Sequence, residues 1–402
     1  LGGPSAVSGG VAWMPNHHLM GPDYPDSTEA ALTYLTTATG GKVPAQTLRW
    51  YVRTAGEAVR WLDERTRVRL VALPRPDYHP DWAGAARGRG LDVQPFDGTE
   101  YPGVTARIRP PTYFPPITMT ERDAMAASGF DAELIARRNA AGTRTMGGAL
   151  VASLVVSAEE RGVQIVTGAG VDELRPDGDG WRLTSAAGTV RARAVVLASG
   201  GFEWNPRLQA AFLPNPVTPI SAPSNTGDGL ELGLAAGGSV GTMRAVWGVP
   251  VLQDPDHRYD GRPSGRMANV ELTLPGSIMV NAAGRRFVNE AVNYHDLNKV
   301  FRTIDPNTGQ HEHIPAWLVV DSGYVSRYSI GGTPVGQVPG WAISGSTVEE
   351  LAAALAIDAF TLAQTVAEFN KYAADGHDPL FHRGESAADR YLGDARQPHP
   401  CL

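Results

Sequence analysis

Ala194-Val195-Val196-Leu197-Ala198-Ser199-Gly200-Gly201 is the stretch on which the architecture of this chain turns. Five apolar residues without alternation suit a strand covered on both faces, as in a parallel sheet flanked by helices. Ser199-Gly200-Gly201 then lets the backbone bend sharply and approach a ligand without a Cβ in the way. A buried strand delivered to a glycine turn is the doubly wound α/β pattern. Two further glycine turns flank it, Leu1-Gly2-Gly3-Pro4-Ser5-Ala6-Val7-Ser8-Gly9-Gly10 before it and Asn225-Thr226-Gly227-Asp228-Gly229 after it. Each alone equally suits a tight turn needing positive φ. Together they imply a large cofactor touched by several loops, with Ser5 and Ser8 as hydroxyl donors and helix N–H groups aimed at an anion. Asp228 can either accept from hydroxyls of a ribityl or ribose chain or cap its helix.

Around these turns, helices are expected from about Asp26 to Thr39, Gln46 to Glu64, Arg144 to Arg161 and Asp228 to Ala236, each from caps or from apolar residues at helical spacing. Gly162 to Val166 reads as the start of a strand. Asp177-Gly178-Asp179-Gly180 reads as a hairpin turn with Trp181 to Thr184 returning. Residues 73–118, rich in Pro, Gly and aromatics, read as a long irregular insertion. Beyond about Val249 the pattern changes to polar loops, a hairpin signal at Asn281-Ala282-Ala283-Gly284 and a helical stretch from Thr347 to Ala373. The expected division is residues 1–252 and 253–402.

The 402 residues are 42% hydrophobic and 19% charged, which fits an ordinary globular protein large enough for two domains. A net charge of −7 without a Lys/Arg cluster argues against nucleic acid as a partner. No apolar run approaches the length of a transmembrane segment. The single cysteine, Cys401, fits a reducing compartment, and a cytoplasmic location is expected. His17-His18 and His311-Glu312-His313 lack a partner cluster at ligand spacing, so no metal is expected and both read as solvated loops.

The most specific segment is Asn281-Ala282-Ala283-Gly284-Arg285-Arg286-Phe287-Val288-Asn289-Glu290-Ala291-Val292-Asn293-Tyr294. It resembles the G-x-R-F-x-N-E-x-x-x-Y signature of flavoproteins related to the fumarate reductase/succinate dehydrogenase superfamily, and its closing tyrosine resembles the 3-ketosteroid Δ1-dehydrogenase branch. Gly2-Gly3-Pro4-Ser5 to Gly10, continuing through Trp13-Met14-Pro15-Asn16, is similar to that family's G-G-T-S-x-x-S-G-G-x-x-W-x-P-N loop, with Pro4 in place of the threonine. Pro25-Asp26-Ser27, Pro76-Asp77-Tyr78, Ala198-Ser199-Gly200-Gly201-Phe202, Asn225 to Gly229 and Phe381-His382-Arg383-Gly384-Glu385 follow in the family's order.

The resemblance implies an FAD enzyme with a Rossmann-like FAD-binding domain and an α+β substrate (cap) domain. It implies removal of hydrogen from C1 and C2 of the A-ring of a 3-ketosteroid, a small apolar ketone, with electrons passed to an unidentified acceptor. Tyr294 matches the general base and Tyr78 a second active-site tyrosine that tunes it. Gly2, Gly3, Ser5, Ser8, Gly9, Gly10, Ser199, Gly200, Gly201 and Asp228 match cofactor contacts, and Val171 a backbone contact to the adenine. A phenol titrates near pH 10, so such a base needs hydrogen bonds to its phenolate or a positive dipole to act at neutral pH. Trp247, Val246 and Val249 either wall the substrate pocket or pack in the core. Tyr294 stands where fumarate-type reductases carry an arginine proton donor, which argues against the alternative of an enoate reductase; a non-catalytic remnant is the other alternative.

Members of this family begin with a strand, a G-x-G-x-x-G turn and a helix, and they extend past the position of Leu402. That closing segment carries a further tyrosine and a backbone N–H that polarise the ketone. Neither unit is found in the 402 residues. The resemblance thus implies an incomplete Rossmann-like domain lacking its first βα unit and the C-terminal segment, an exposed sheet edge, and weak FAD binding by this chain alone.

Overall fold

Local signals set the first half of the chain. The Ser27 hydroxyl accepts from the backbone N–H of Ala30 and starts helix α2 (Thr28–Ala38). Helix α3 (Ala45–Arg65) buries Leu48, Val52, Ala55 and Val59 as one stripe. The computed structural model that shows this describes residues 1–112, 114–125, 129–215 and 217–402. A short α1 (Gly3–Val7) and strand β1 (Ala12–Trp13) precede these helices; β2 (Leu70–Ala72) and β3 (Gly90–Val93) complete an antiparallel sheet of order β1-β3-β2. Three helices follow, α4 (Pro102–Thr105), α5 (Met119–Met125) and α6 (Ala132–Ala140). Helix α7 (Met146–Glu159) then lies against α1 and β3 in a core built from Ala6, Val59, Leu91, Val93, Ala149, Ala152 and Val156. Residues 73–118 are therefore not wholly irregular. They contribute Leu91, Val93, Phe96, Val104 and Ile108 to that core, apolar positions that the intervening prolines and glycines disguise.

The middle of the chain holds the expected hairpin and one strand more. Strands β4 (Val171–Asp177), β5 (Gly180–Ser185) and β6 (Gly188–Ala192) form an antiparallel meander, with Asp177 facing Gly180 at the first turn. Helices α8 (Pro206–Phe212) and α9 (Asp228–Ala235) follow. Residues 162–166 and 194–198 are not strands. Val163, Val166 and Leu197 are exposed and Val196 is 89% exposed. A strand exists only through its ladder, and among the described residues every ladder is antiparallel and none includes these runs. The expected burial on both faces is therefore not found: an apolar run carries no information about a partner strand, and these two stay largely exposed.

After Val249 come four two-residue strands, β7 (Val251–Leu252), β8 (Arg258–Tyr259), β9 (Arg262–Pro263) and β10 (Arg266–Met267), then the fully buried β11 (Ser277–Asn281). Helix α10 (Tyr294–Leu297) runs on as a 3-10 turn, Asn298–Arg302. Strand β12 (Ala316–Val320) pairs antiparallel with β11, Ser277 opposite Val320. Helices α11 (Ser322–Arg327), α12 (Val348–Leu355), α13 (Ala359–Ala373) and α14 (Ala387–Tyr391) close the chain. The stretch from Thr347 to Ala373 is two helices rather than one. Ala356 adopts a left-handed conformation at φ 55°, and the Asp358 carboxylate accepts from Thr361 N to start the second. Ile278 and Val280 of β11 pack with Ala352, Leu362 and Phe369 on one side, and Met279 packs with Leu272 and Leu297 on the other.

Candidate active site

The segment that leads to Tyr294 is held by buried charge. Glu290 accepts from Met279 N at 2.9 Å, from Arg286 Nε at 2.9 Å and Nη2 at 2.7 Å, and from Arg383 Nη1 at 3.2 Å. Arg286 also donates to Asp378, and Arg383 donates to the carbonyls of Ser277, Leu272 and Leu274. Burial by itself would raise the Glu290 carboxyl; the Arg286 hydrogen bonds and the Arg383 charge outweigh it, and the group titrates below its ordinary value. The Arg286-to-Glu290 segment is thereby pinned to β11 and to the Arg383 loop. Three residues after Glu290, Asn293 accepts from Asp296 N at 3.0 Å and starts α10, so Tyr294 occupies its first turn while Leu297 anchors the helix on Met279.

Tyr78 arrives from the opposite side on the segment between β2 and β3. The preceding Asp77 is locked: one carboxylate oxygen accepts from Trp13 Nε1 at 2.7 Å, the other from Ala86 N at 2.9 Å and Arg89 Nη1 at 2.7 Å. Arg89 is fully buried and also binds Asp26 at 2.5 Å. Trp13 lies on β1, directly after the first glycine turn, so Asp77 links that turn to Tyr78. From this mount the Tyr78 hydroxyl donates to the Tyr294 oxygen at 2.5 Å, with the rings edge to face and centroids 5.5 Å apart. Desolvation, and then the neighbouring Tyr294 oxygen, push the Tyr78 phenol far above its ordinary value, so Tyr78 keeps its proton. Trp247 Nε1 offers a second, longer donor to Tyr294 at 3.4 Å. Trp247 is 82% exposed, which removes it from the core; Val246 and Val249 are half-buried.

The three glycine turns converge. A Cβ on Gly3 would meet nothing closer than Ser224 Oγ at 3.9 Å, whereas one on Gly200 would collide with Asn225 Oδ1 at 2.2 Å. Gly227 N donates to Gly201 O at 3.1 Å, and Ser199 Oγ lies against Gly229. The turns from residues 1–10, 199–201 and 224–229 thus share one neighbourhood. Their glycines serve different ends. Gly2 and Gly10 are demanded by packing, since a Cβ there would strike Ala6 and the Gly147 backbone respectively; at Gly9 a Cβ would meet only the movable end of Met119, and Gly3 leaves its face open. Ser5 and Ser8 are exposed, and Ser8 Oγ accepts from Gly10 N at 3.1 Å. Gly227, not Asp228, occupies the capping position of α9, leaving the Asp228 carboxylate exposed with one hydrogen bond, from Thr226 Oγ1 at 2.7 Å. Val171 is half-buried at the head of β4. Beside Gly200, the Asn225 Oδ1 is buried without a donor while its amide serves Glu203. An orphaned acceptor among open glycine backbone and exposed hydroxyls fits a hydroxyl-rich dinucleotide.

One histidine expectation fails and one pair was missed. His17 is not solvated: it is 4% exposed, with Nε2 bonded to Gly88 O at 3.0 Å and Nδ1 accepting from Leu19 N. His79 Nε2 donates to Asp296 Oδ2 at 2.7 Å, directly beside the tyrosine pair. The signal was present, an imidazole one residue after Tyr78 and an acid two after Tyr294, but nothing in the order of residues says that they meet.

Residues 1–400 match the family described as FAD binding domain. Over its whole length the chain is 36% identical to 4-oxocyclohexanecarboxylate 2-dehydrogenase of Sinomonas cyclohexanicum, covering 73% of that protein. It is 31% identical to 3-oxosteroid 1-dehydrogenase of Mycolicibacterium smegmatis, again over the full chain and 77% of the relative. The structure superposes on 3-ketosteroid Δ1-dehydrogenase from Sterolibacterium denitrificans, solved with 1,4-androstadiene-3,17-dione, with a TM-score of 0.88 and 29% identity, covering all of this chain and 78% of that one. The convergent glycine turns and these full-length likenesses agree, and the chain belongs to the FAD binding domain family as a flavoprotein oxidoreductase that uses FAD.

Proposed function

We propose that this protein desaturates a ring ketone at the carbon–carbon bond next to the carbonyl, as ring A of a 3-ketosteroid would be desaturated between C1 and C2. The observation that carries this reading is the 2.5 Å hydrogen bond from Tyr78 to the Tyr294 oxygen. Tyr294 is the base: its phenolate oxygen takes the proton from the carbon alpha to the ketone. Tyr78 donates into that oxygen and so favours the ionised form, with the Trp247 N–H adding to it. When bound, FAD supplies the acceptor for the hydride leaving the neighbouring carbon. Gly3, Ser5, Ser8, Ser199, Gly200, Asp228 and Val171 are the residues assigned to hold it, with Gly2, Gly9, Gly10 and Gly201 shaping the turns. Residues 1–252 form the cofactor side of this assignment and 253–402 the substrate side.

The 36% identity to a dehydrogenase of 4-oxocyclohexanecarboxylate favours a second reading in which the ketone is a single ring rather than a steroid. Anaerobic mixing of the flavin-loaded protein with 4-androstene-3,17-dione and, separately, with 4-oxocyclohexanecarboxylate distinguishes the two. Bleaching by one of them, abolished in Tyr294→Phe, is the expected result. A flavin that neither ketone bleaches, but that an unsaturated acid reoxidises after chemical reduction, overturns the proposal.

A further inference from the structure

We propose that His79 and Asp296 form a positioning pair that sets the Tyr78–Tyr294 hydrogen bond and balances charge beside it; this rests on the reading of Tyr294 as the base. Two side-chain hydrogen bonds join the Tyr78 segment to α10. One is the phenol pair itself, between residues 216 apart in sequence; the other is His79–Asp296, between residues 217 apart. Each member of the second bond is one or two residues from a tyrosine, so it fixes the separation of the two mounts. An ångström of drift is enough to break a 2.5 Å phenol–phenol contact.

Both ends of the pair are themselves held. The His79 ring stacks on Trp82 at 3.7 Å and 5°, Trp82 packs on Tyr34, and His79 N donates to the Tyr34 hydroxyl at 3.3 Å. The Asp296 carboxylate accepts from His79, from Asn293 Nδ2 at 2.8 Å and from Lys299 Nζ. The His79 hydrogen bond, followed by Lys299 and Asn293, holds this carboxyl well below the ordinary range, so Asp296 is an anion throughout the working pH range and His79 presents Nε2–H to it.

Charge gives the pair a second effect. An anion two residues from Tyr294 opposes a second negative charge on the phenolate oxygen, and the His79 donor offsets part of that opposition. Among the described residues, the other titratable or charged groups facing this spot include Tyr78 with Arg75 and Asp123 behind it, Tyr34 from α2 with Asp77 and Arg89 beside it, His295 on α10, and Lys299 and Arg302 from the following turn. None of these is altered by the variants below, so opposite changes at the two ends of the pair should move the phenolate in opposite directions.

His79→Phe keeps the stack on Trp82 and removes the donor; His79→Gln keeps a donor at the reach of Nε2. Asp296→Asn keeps an acceptor for His79 and removes the charge. In anaerobic stopped flow with whichever of 4-androstene-3,17-dione and 4-oxocyclohexanecarboxylate bleaches the wild type, His79→Phe should slow bleaching about 10- to 100-fold, with ketone affinity little changed. His79→Gln should restore most of the rate. The pH at which the rate rises should move up in His79→Phe and down in Asp296→Asn. The same displacements should appear without any ketone, in the ultraviolet phenolate titration component that Tyr294→Phe deletes. That titration separates the two ideas: if no ketone bleaches the wild type, the proposed function falls while the positioning pair is still read. Unmoved titrations, or His79→Phe and Asp296→Asn displaced in the same direction as general loosening would give, overturn the inference. Should His79→Phe fail to fold, His79→Gln and Asp296→Asn carry the test.

Discussion

Glu290 and Asp296 belong to one short segment, yet protein surrounds them in opposite ways. Glu290 is shut away from water between two arginines, every donor supplied by a neighbour that is itself buried. Asp296 is about a quarter exposed and shares its charge with a histidine and a lysine that water also reaches. The first arrangement holds shape. The second sits beside the tyrosine pair, where the proposed function has a proton leave the substrate. Buried ion pairs add little net stability over apolar packing but are very costly to break, whereas exposed pairs tune a charge without bearing the fold. The contrast teaches that the segment from Arg286 to Asp296 is bipartite, its first half a clamp and its last residues the end that carries Tyr294, the proposed base.

The sharpest way to break this contrast is Glu290→Ala, which strands two buried guanidinium groups. A loss of about 3–5 kcal/mol in urea unfolding is expected; a change under about 1 kcal/mol would mean that the clamp is not one. Tyr294→Phe should do the reverse, lowering the ketone bleaching rate about 10²- to 10⁴-fold while thermal unfolding stays close to wild type. Tyr78→Phe removes the shorter of the two donors to the Tyr294 oxygen, and a loss of about 10- to 100-fold in the same rate is expected. Rates equal to wild type in Tyr78→Phe would separate the tyrosine contact from the chemistry.

Tyr34 sharpens the comparison along the pH axis. Burial raises its phenol to about 12. The folded form therefore holds its proton more tightly than the unfolded chain, whose tyrosines titrate near 10. Its contribution is complete below pH 10 and is lost as pH climbs from about 10 to 12, amounting to about 1–3 kcal/mol. Tyr34→Phe should flatten that alkaline decline in melting temperature; an unchanged slope would place the loss elsewhere. The smallest effect belongs to Arg175, which pairs with Glu173 where both side chains face water: Arg175→Ala should change stability by less than about 1 kcal/mol at neutral pH.

Sequence made local structure readable wherever a segment satisfied itself. Ser27 capping α2, the apolar stripe of α3 and the Asp177-to-Gly180 turn all act within a few residues. The runs at 162–166 and 194–198 were misread because a strand is a property of two segments, and the split of α12 from α13 was hidden in Ala356, a good helix former placed left-handed by its surroundings. The candidate site divides in the same manner. Motifs pointed to Tyr78, Tyr294 and the glycine turns, but not to the meeting of the phenols, to the orphaned acceptor on Asn225, or to the bond between His79 and Asp296. Those depend on contacts between separate segments, for the two tyrosine-side bonds across more than half of the chain, which no spacing encodes.

The two phenols come from positions 216 residues apart. No single helix, hairpin or turn can therefore hold a competent base in miniature. Under the proposed function, proton abstraction becomes possible only once the most distant segments have docked, so turnover would mark the completion of folding, and a chain stalled short of that point would be harmless to its substrate.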